Sequence, residues 1–326
     1  MIEKLLIFEG SGLDPYRNLA VEQVLLEGVQ EGQCILYLWQ NQNTVVIGKN
    51  QNPWKECKTA LLQQEGGHLA RRLSGGGAVF HDLGNLNFTF LMRQHDYDLD
   101  KQLQVIQQAV QSLGIDAQRS GRNDILAQGR KFSGNAFYKN GRQAYHHGTL
   151  LVSADMEKLS RYLSPSKAKL QSKGVDSVRS RVANLREFSP EITIEALKAA
   201  LKTAFSAVYG LPAAVLPAEQ LDEDKIASLT ERNRSWQWRF GQKLPFTWEL
   251  EERFDWGGVQ IQLQIDSGII RAAKIYSDAM DTQLIPRWED KLTGCALERT
   301  FLEAALDRQD IREEQQLCQL LLQHLA

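Results

Sequence analysis

Short apolar runs separated by turn residues dominate the first half of the chain. LLIF at 5–8, ILYLW at 35–39 and TVVIG at 44–48 have the length and bounding residues of buried strands. Between the first two, the spacing predicts a helix opening at Asp14-Pro15, with Leu19, Val21, Val24, Leu25 and Val29 recurring at helical intervals. A second helix is expected after Asn52-Pro53. A third is expected from Leu99 to Leu113, with Leu103, Ile106, Val110 and Leu113 on one stripe. From Asp124 to Ser153 the pattern returns to strands around an Asn140-Gly141 hairpin signal, and helices resume near 155–163 and 193–209.

The pattern changes near Leu244-Pro245. Beyond it TWELEERF, VQIQLQI and IIRAAKIY read as three strands, with turns at Trp256-Gly257-Gly258 and Asp266-Ser267-Gly268, and helical segments run on to Ala326. The fold class expected is therefore α/β (α+β): a main domain of mixed strands and helices over 1–245, and a small α+β domain over 246–326.

Composition narrows the function. The chain has 326 residues, 43% hydrophobic and 24% charged, with a formal net charge of −2. That balance argues against a general nucleic-acid binder, which carries a basic excess. Nothing in the sequence is long and apolar enough for a membrane span, and MIEKLLIFEG is too short in apolar residues for a signal peptide. Cys34, Cys57, Cys295 and Cys318 show no metal-ligand spacing and read as reduced thiols. A soluble, cytoplasmic protein is expected.

The chemistry concentrates in three stretches. In RRLSGGGAVFHDLGNLNFTF, from Arg71 to Phe90, two arginines precede three glycines. This is neither a P-loop nor a dinucleotide fingerprint. Glycine backbone with permanently charged, planar guanidinium groups beside it suits an anionic ligand pressed against the chain. In GRKFSGNAF, strict alternation would put Lys131, Ser133 and Asn135 on one strand face and Phe132, Gly134 and Ala136 on the other. The small residues at 134 and 136 leave room for a slender apolar ligand. Asp124, in GRND, suits Mg²⁺ beside phosphate oxygens. Between 158 and 186, eight basic residues face one acid, Asp176: a solvated face, or a surface for polyphosphate or an acidic partner.

Taken in order, RRLSGGGAVFHDLGNLNFTF, GRNDI, GRKFSGNAF, HHGTLL and KGVDSVRSRVANL resemble the lipoate–protein ligase A family of the biotin/lipoate protein ligases, and NPWKEC and SWQWRFG fit it too. The resemblance spans essentially the full chain. It implies a biotin/lipoate ligase-like catalytic domain and a small accessory domain. The implied activity uses ATP and Mg²⁺ to convert free (R)-lipoate to lipoyl-AMP. The lipoyl group then passes to a lysine of lipoyl domains, those of 2-oxoacid dehydrogenase acyltransferase subunits and the glycine-cleavage H protein. On this likeness Lys131 is the catalytic residue and touches both ATP and lipoate. Arg72, Gly77, Ala78, Val79 and Phe80 are the other ATP-binding positions, while Gly75, Gly76 and His81 take lipoate. Arg71, Asn123, Asp124 and His147 belong to the same pocket, with Asp124 as the metal ligand. An acyltransferase of the same fold would need a reactive thiol, and no cysteine adjoins these motifs. Biotin ligase is less similar, since a Gly-Arg-Gly-Arg loop is missing. A non-catalytic lipoate binder is the reading from a different class.

Overall fold

The computed structural model describes residues 1–120, 124–164, 182–241, 244–297, 300, 303–304 and 311–325. They form two compact units. The first comprises 1–47, 53–72 and 78–239, and the second comprises 48–52, 73–77 and 240–326. Two short segments thus cluster with the C-terminal residues, a grouping that no single cut along the chain expresses.

The strands of the first unit are β1 (Lys4–Glu9), β2 (Gln33–Trp39), β3 (Thr44–Ile47), β4 (His68–Arg71), β5 (Val79–His81), β6 (Asn85–Arg93), β7 (Ala117–Ser120), β8 (Asp124–Ala127), β9 (Arg130–Lys139), β10 (Gln143–Leu151) and β11 (Ala213–Val215). Eight of them make one sheet in the order β11-β1-β2-β6-β10-β9-β8-β7. β1 runs parallel to β2 and β11, and the remaining pairs are antiparallel. β3 forms a second, three-stranded sheet with β4 (parallel) and β5 (antiparallel).

Alternation along the central strands decides what lies on each face of the large sheet. On β6, Leu86, Phe88, Phe90 and Met92 join Cys34, Leu36 and Leu38 of β2 in a core. α4 (Leu99–Ser112) and the helix Ile194–Tyr209 complete it through Leu103, Ile106, Val110, Leu201 and Phe205. The opposite face carries Asn85, Asn87 and Thr89 and is met by α1 (Pro15–Gly28). α1 starts where its sequence says: Asp14 accepts a hydrogen bond from the Tyr16 amide, and Pro15 occupies the first turn. Ten of its residues are buried, because the helix Glu223–Arg234 packs against it as well.

In the second unit β12 (Trp248–Phe254), β13 (Gly257–Asp266) and β14 (Ile269–Ser277) form an antiparallel meander. Ile261, Leu263 and Ile275 pack with Trp288 of the helix Leu284–Leu292 and Leu317 and Leu321 of the helix Arg312–Leu325. The expected turn at Trp256-Gly257-Gly258 sits one residue earlier, at Asp255-Trp256. Both glycines belong to β13. A Cβ on Gly257 would lie 3.0 Å from Asp278 Oδ1 and 3.1 Å from the Ala279 nitrogen, so this glycine serves a close approach rather than a turn. The helix expected after Asn52-Pro53 is broken in two, α2 (Pro53–Glu56) and α3 (Thr59–Gln64). Cys57 falls between them, in a single bridge to Leu163, and not in a helix. Among the described residues no helix is long and apolar enough to cross a membrane.

Candidate functional site

Lys131 does not share a face with Ser133 and Asn135. β9 carries a bulge: Ser133 pairs with Ile125 and Lys131 with Leu126, leaving Phe132 as an extra residue. Phe132 is completely buried in the α4-side core, where Ser133 and Asn135 also lie buried. Asn135 meets the ring of His146 at 2.8 Å, and His146 meets Gln102 of α4. The extra residue turns Lys131 to the other face, the usual consequence of a bulge. There its Cε and Nζ lie 3.2 Å from where a Cβ on Gly134 would stand. The correction to strict alternation has one physical cause: a large aromatic ring gains more from core burial than a regular ladder does from one more pair.

That face carries a buried hydrogen-bonded chain. Glu22, on α1 and 2% exposed, accepts from Thr89 Oγ1 at 2.7 Å and lies 2.8 Å from His147 Nδ1. Thr89 in turn accepts from Trp39 Nε1 at 3.1 Å. His147 is buried beside the ring of Tyr145 and pairs across the ladder with Ala136. The aligned small side chains of Gly134 and Ala136 therefore run from the Lys131 ammonium toward His147.

His81, on β5, closes another part of the same face, its ring edge-on to Trp39. Asn18 donates to Asn41 Oδ1 at 2.9 Å, so Asn41 presents its Nδ2 to His81 Nδ1 at 3.1 Å. The imidazole proton then sits on Nε2, which is buried and has no hydrogen-bond partner among the described residues. Burial first, then the charges of Arg72 and His147, pull His81 down to about 3, so the ring is neutral at physiological pH. It offers an N–H donor without adding charge.

The neutral state of His81 has a pH consequence. Its folded value lies below that of an exposed histidine, so across the interval between the two the unfolded chain binds a proton that the folded chain refuses. Stability from this group is present above about pH 6.5 and is lost as pH falls toward 3. Replacing His81→Gln is expected to narrow the difference in melting temperature between about pH 7.5 and about pH 5. An unchanged difference in thermal melts at the two values would remove His81 as its source.

The two arginines part company. Arg71 directs Nε to the carbonyls of Trp238 and Arg239 at 2.9 and 3.1 Å, and Nη2 to Arg239 at 2.6 Å. Trp238 Nε1 returns a bond to the Arg71 carbonyl at 3.0 Å. Its cation thus caps the carboxyl end of the helix Trp236–Phe240. Arg72 is 5% exposed, donates from Nη1 to the Val46 carbonyl at 3.1 Å, and feels the charge of Glu22. Burial pulls its guanidinium down to about 10, which still leaves it charged at neutral pH. Val79, Phe80 and His81 form β5 against β3, with the Phe80 ring buried against Tyr162 and Ala78 just before the strand.

Gly75, Gly76 and Gly77 belong to the second unit. The close approach that Gly75 permits comes from the chain itself: a Cβ there would stand 2.1 Å from the Ala279 carbonyl oxygen and 2.9 Å from Met280 Cα. Gly76 has φ +85°, and its carbonyl oxygen would be 2.4 Å from a Cβ on Gly48. Gly75 thus serves internal packing and Gly76 a left-handed backbone, while the Gly76 carbonyl in turn demands glycine at 48. Asn123 lies outside the described residues, as do most of the basic positions from 158 to 186. Asp124 is placed by its backbone alone, opposite Gly134 in the β8–β9 ladder. Within the described part of the basic run, Arg161 is paired with Glu65 and Arg186 Nε donates to the Ile192 carbonyl.

Residues 14–206 match the family model of the lipoyl protein ligase A/B catalytic domain. The chain belongs to this family. Residues 243–323 match the model for the bacterial lipoate protein ligase C-terminus. Among solved structures, this lipoyl ligase family member is similar to P. falciparum LipL1 in complex with lipoate: 27% identity, 98% of this chain and 100% of that chain covered, TM-score 0.86. A lipoate-protein ligase A bound with ATP matches at 28% identity over 74% of this chain and 99% of its own, TM-score 0.62. The bipartite lipoate protein ligase of Thermoplasma acidophilum, studied with its E2 lipoyl domain, matches at 27% identity over 75% and 99%, TM-score 0.65.

Glu22, Asn41 and Thr89 escaped the sequence reading. The one available signal was an acid inside the apolar run of α1, and nothing local distinguishes it from a solvated glutamate.

Proposed function

We propose that this chain activates free (R)-lipoate with ATP to give lipoyl-AMP and pyrophosphate, then transfers the lipoyl group to a lysine of lipoyl domains. The acceptors in this reading are the acyltransferase subunits of 2-oxoacid dehydrogenases and the glycine-cleavage H protein. One observation carries it: the β9 bulge delivers the Lys131 amine onto a face where Gly134 and Ala136 leave a smooth floor. The lipoate complex of LipL1 and the ATP complex of lipoate-protein ligase A support the choice of the two substrates.

In the first step a lipoate carboxylate oxygen bonds to the α-phosphorus, and the bond to pyrophosphate breaks. Two anions must meet, and a fixed ammonium between them offsets their repulsion and stabilises charge growing on the phosphoryl oxygens. Lys131 and Arg72 are the cations assigned to that task, with Ala78 to His81 as further binding positions of the same unit. Asp124 is the carboxylate this reading assigns to Mg²⁺, which would screen the phosphates. In the second step the acceptor amine attacks the acyl carbon, AMP leaves, and the amine loses a proton.

A thioester route has little support in the thiols. Cys34 sits in the α4-side core and Cys57 is buried; burial pushes both up to about 12, and it raises Cys295 too. The test is lipoate-dependent exchange of labelled pyrophosphate into ATP, without acceptor protein. Exchange is expected from the unmodified chain and, within about threefold, from a variant with all four cysteines changed to serine. A folded protein that binds lipoate but shows no exchange would refute adenylation. Loss of exchange in a folded cysteine variant alone would restore the thioester route.

A further inference from the structure

Three polar residues of β6, Asn85, Asn87 and Thr89, point to the face that holds Lys131, and only Thr89 is fully engaged. Asn85 is completely buried and Asn87 is 1% exposed. Asn85 Nδ2 donates to Asn87 Oδ1 at 2.9 Å, which fixes Asn87 with its Nδ2 as the outer end. That Nδ2 and the Asn85 Oδ1 are both buried with no hydrogen-bond partner among the described residues. A buried amide left unmet is costly, and native chains keep few of them.

The ladder register says what Asn87 faces. Thr149 of β10 pairs with Asn87 on one side and with Gly134 on the other, and Gly134 pairs with Asp124. Asp124, Gly134, Thr149 and Asn87 therefore form one row across four adjacent strands. Adjacent strands stand about 4.8 Å apart, so Asn87 is about 10 Å along the row from Gly134. The Lys131 ammonium lies over Gly134, and Thr149 Oγ1 accepts from the Gly134 amide at 3.3 Å. A cation and an unmet N–H donor thus share one row and one face, with a single strand between them. An oxygen-rich anion bridging that strand would meet both.

We propose that Asn87 donates from Nδ2 to an oxygen of the acyl-phosphate group that Lys131 holds, with Asn85 as the positioning residue that aims it. The proposal rests on the adenylation reading above and adds a second, uncharged donor to the reacting centre. An uncharged donor strengthens as negative charge builds on its acceptor, so Asn87 acts on turnover more than on lipoate capture.

The experiment compares Asn87→Ala and Asn87→Asp in the full chain by lipoate-dependent pyrophosphate exchange, with thermal melts as a fold control. Exchange turnover is expected to fall about 10- to 100-fold in Asn87→Ala, and further in Asn87→Asp, with the KM for lipoate moving less than about threefold. The order is diagnostic. Asn87→Asp keeps the shape and the acceptor that Asn85 uses, so a purely structural role would make it the milder change. A carboxylate facing a phosphate makes it the harsher one. Turnover unchanged in both, a loss confined to KM, or a milder Asn87→Asp would each overturn the proposal. If Asn87→Ala does not fold, Asn87→Asp decides alone: near-normal turnover overturns the proposal, and a loss beyond about 10-fold supports it. Absence of exchange in the unmodified protein would instead remove the adenylation reading itself.

Discussion

Replacing Lys131→Ala lowers lipoate-dependent pyrophosphate exchange by at least about 10³-fold, while the chain keeps its fold. The large effect follows from position. Lys131 is delivered to the site face by the bulge, and an alanine cannot reach over Gly134. On the adenylation reading, two anions would then have to meet without the ammonium that offsets their repulsion. The small structural effect follows from the backbone. The Lys131 carbonyl accepts from the Ala183 amide at 2.9 Å, and Phe132 beside it holds the core; neither depends on the lysine side chain. Exchange kinetics and a thermal melt on the same sample check both halves. Near-normal exchange in a folded variant would remove Lys131 from the chemistry, and Lys131→Arg separates charge from reach.

Gly75→Ala is expected to destabilise the chain by about 2–3 kcal/mol and to depress exchange with it. The added methyl would stand 2.1 Å from the Ala279 carbonyl oxygen, and backbone on both sides leaves no flexible side chain to yield. The segment 73–77 must move. Lys49 N donates to the Ser74 carbonyl and Gly76 N lies 3.4 Å from the Ala279 carbonyl, so both ties are disturbed. Gly12→Ala is the control, since a Cβ at Gly12 meets nothing within 4 Å. Denaturant midpoints that fell equally for the two variants, or for neither, would show that Gly75 is not held by this packing.

Much of the architecture was legible because it is written in local periodicity. The helix read at 99–113 is Leu99–Ser112, the Asn140-Gly141 signal joins β9 to β10, and the three C-terminal runs are β12, β13 and β14. In each, one face is apolar at a fixed interval, and a single-sequence window is long enough to show it. The helix Glu223–Arg234 was not read, since only Ile226, Thr230 and Asn233 of it are buried, too narrow a stripe for the pattern.

The candidate site was legible as residue types and not as geometry. The sequence alone determined which side chains are available: a lysine shortly before small residues, arginines before glycines, histidines at 81 and 147. Their order along the chain also determined the family. Only the tertiary structure decided what each one does. Two adjacent buried arginines divided, one donating to the carbonyls of Trp238 and Arg239 and the other to the Val46 carbonyl, because the partners of each come from different distant segments. The Lys131 amine changed face because Phe132 was drawn into a core assembled from residues far away in sequence. Gly75 has no room for a side chain because of residues 279–280, some two hundred positions further along the chain. Local windows record propensity, but facing, burial and close approach arise where distant segments meet.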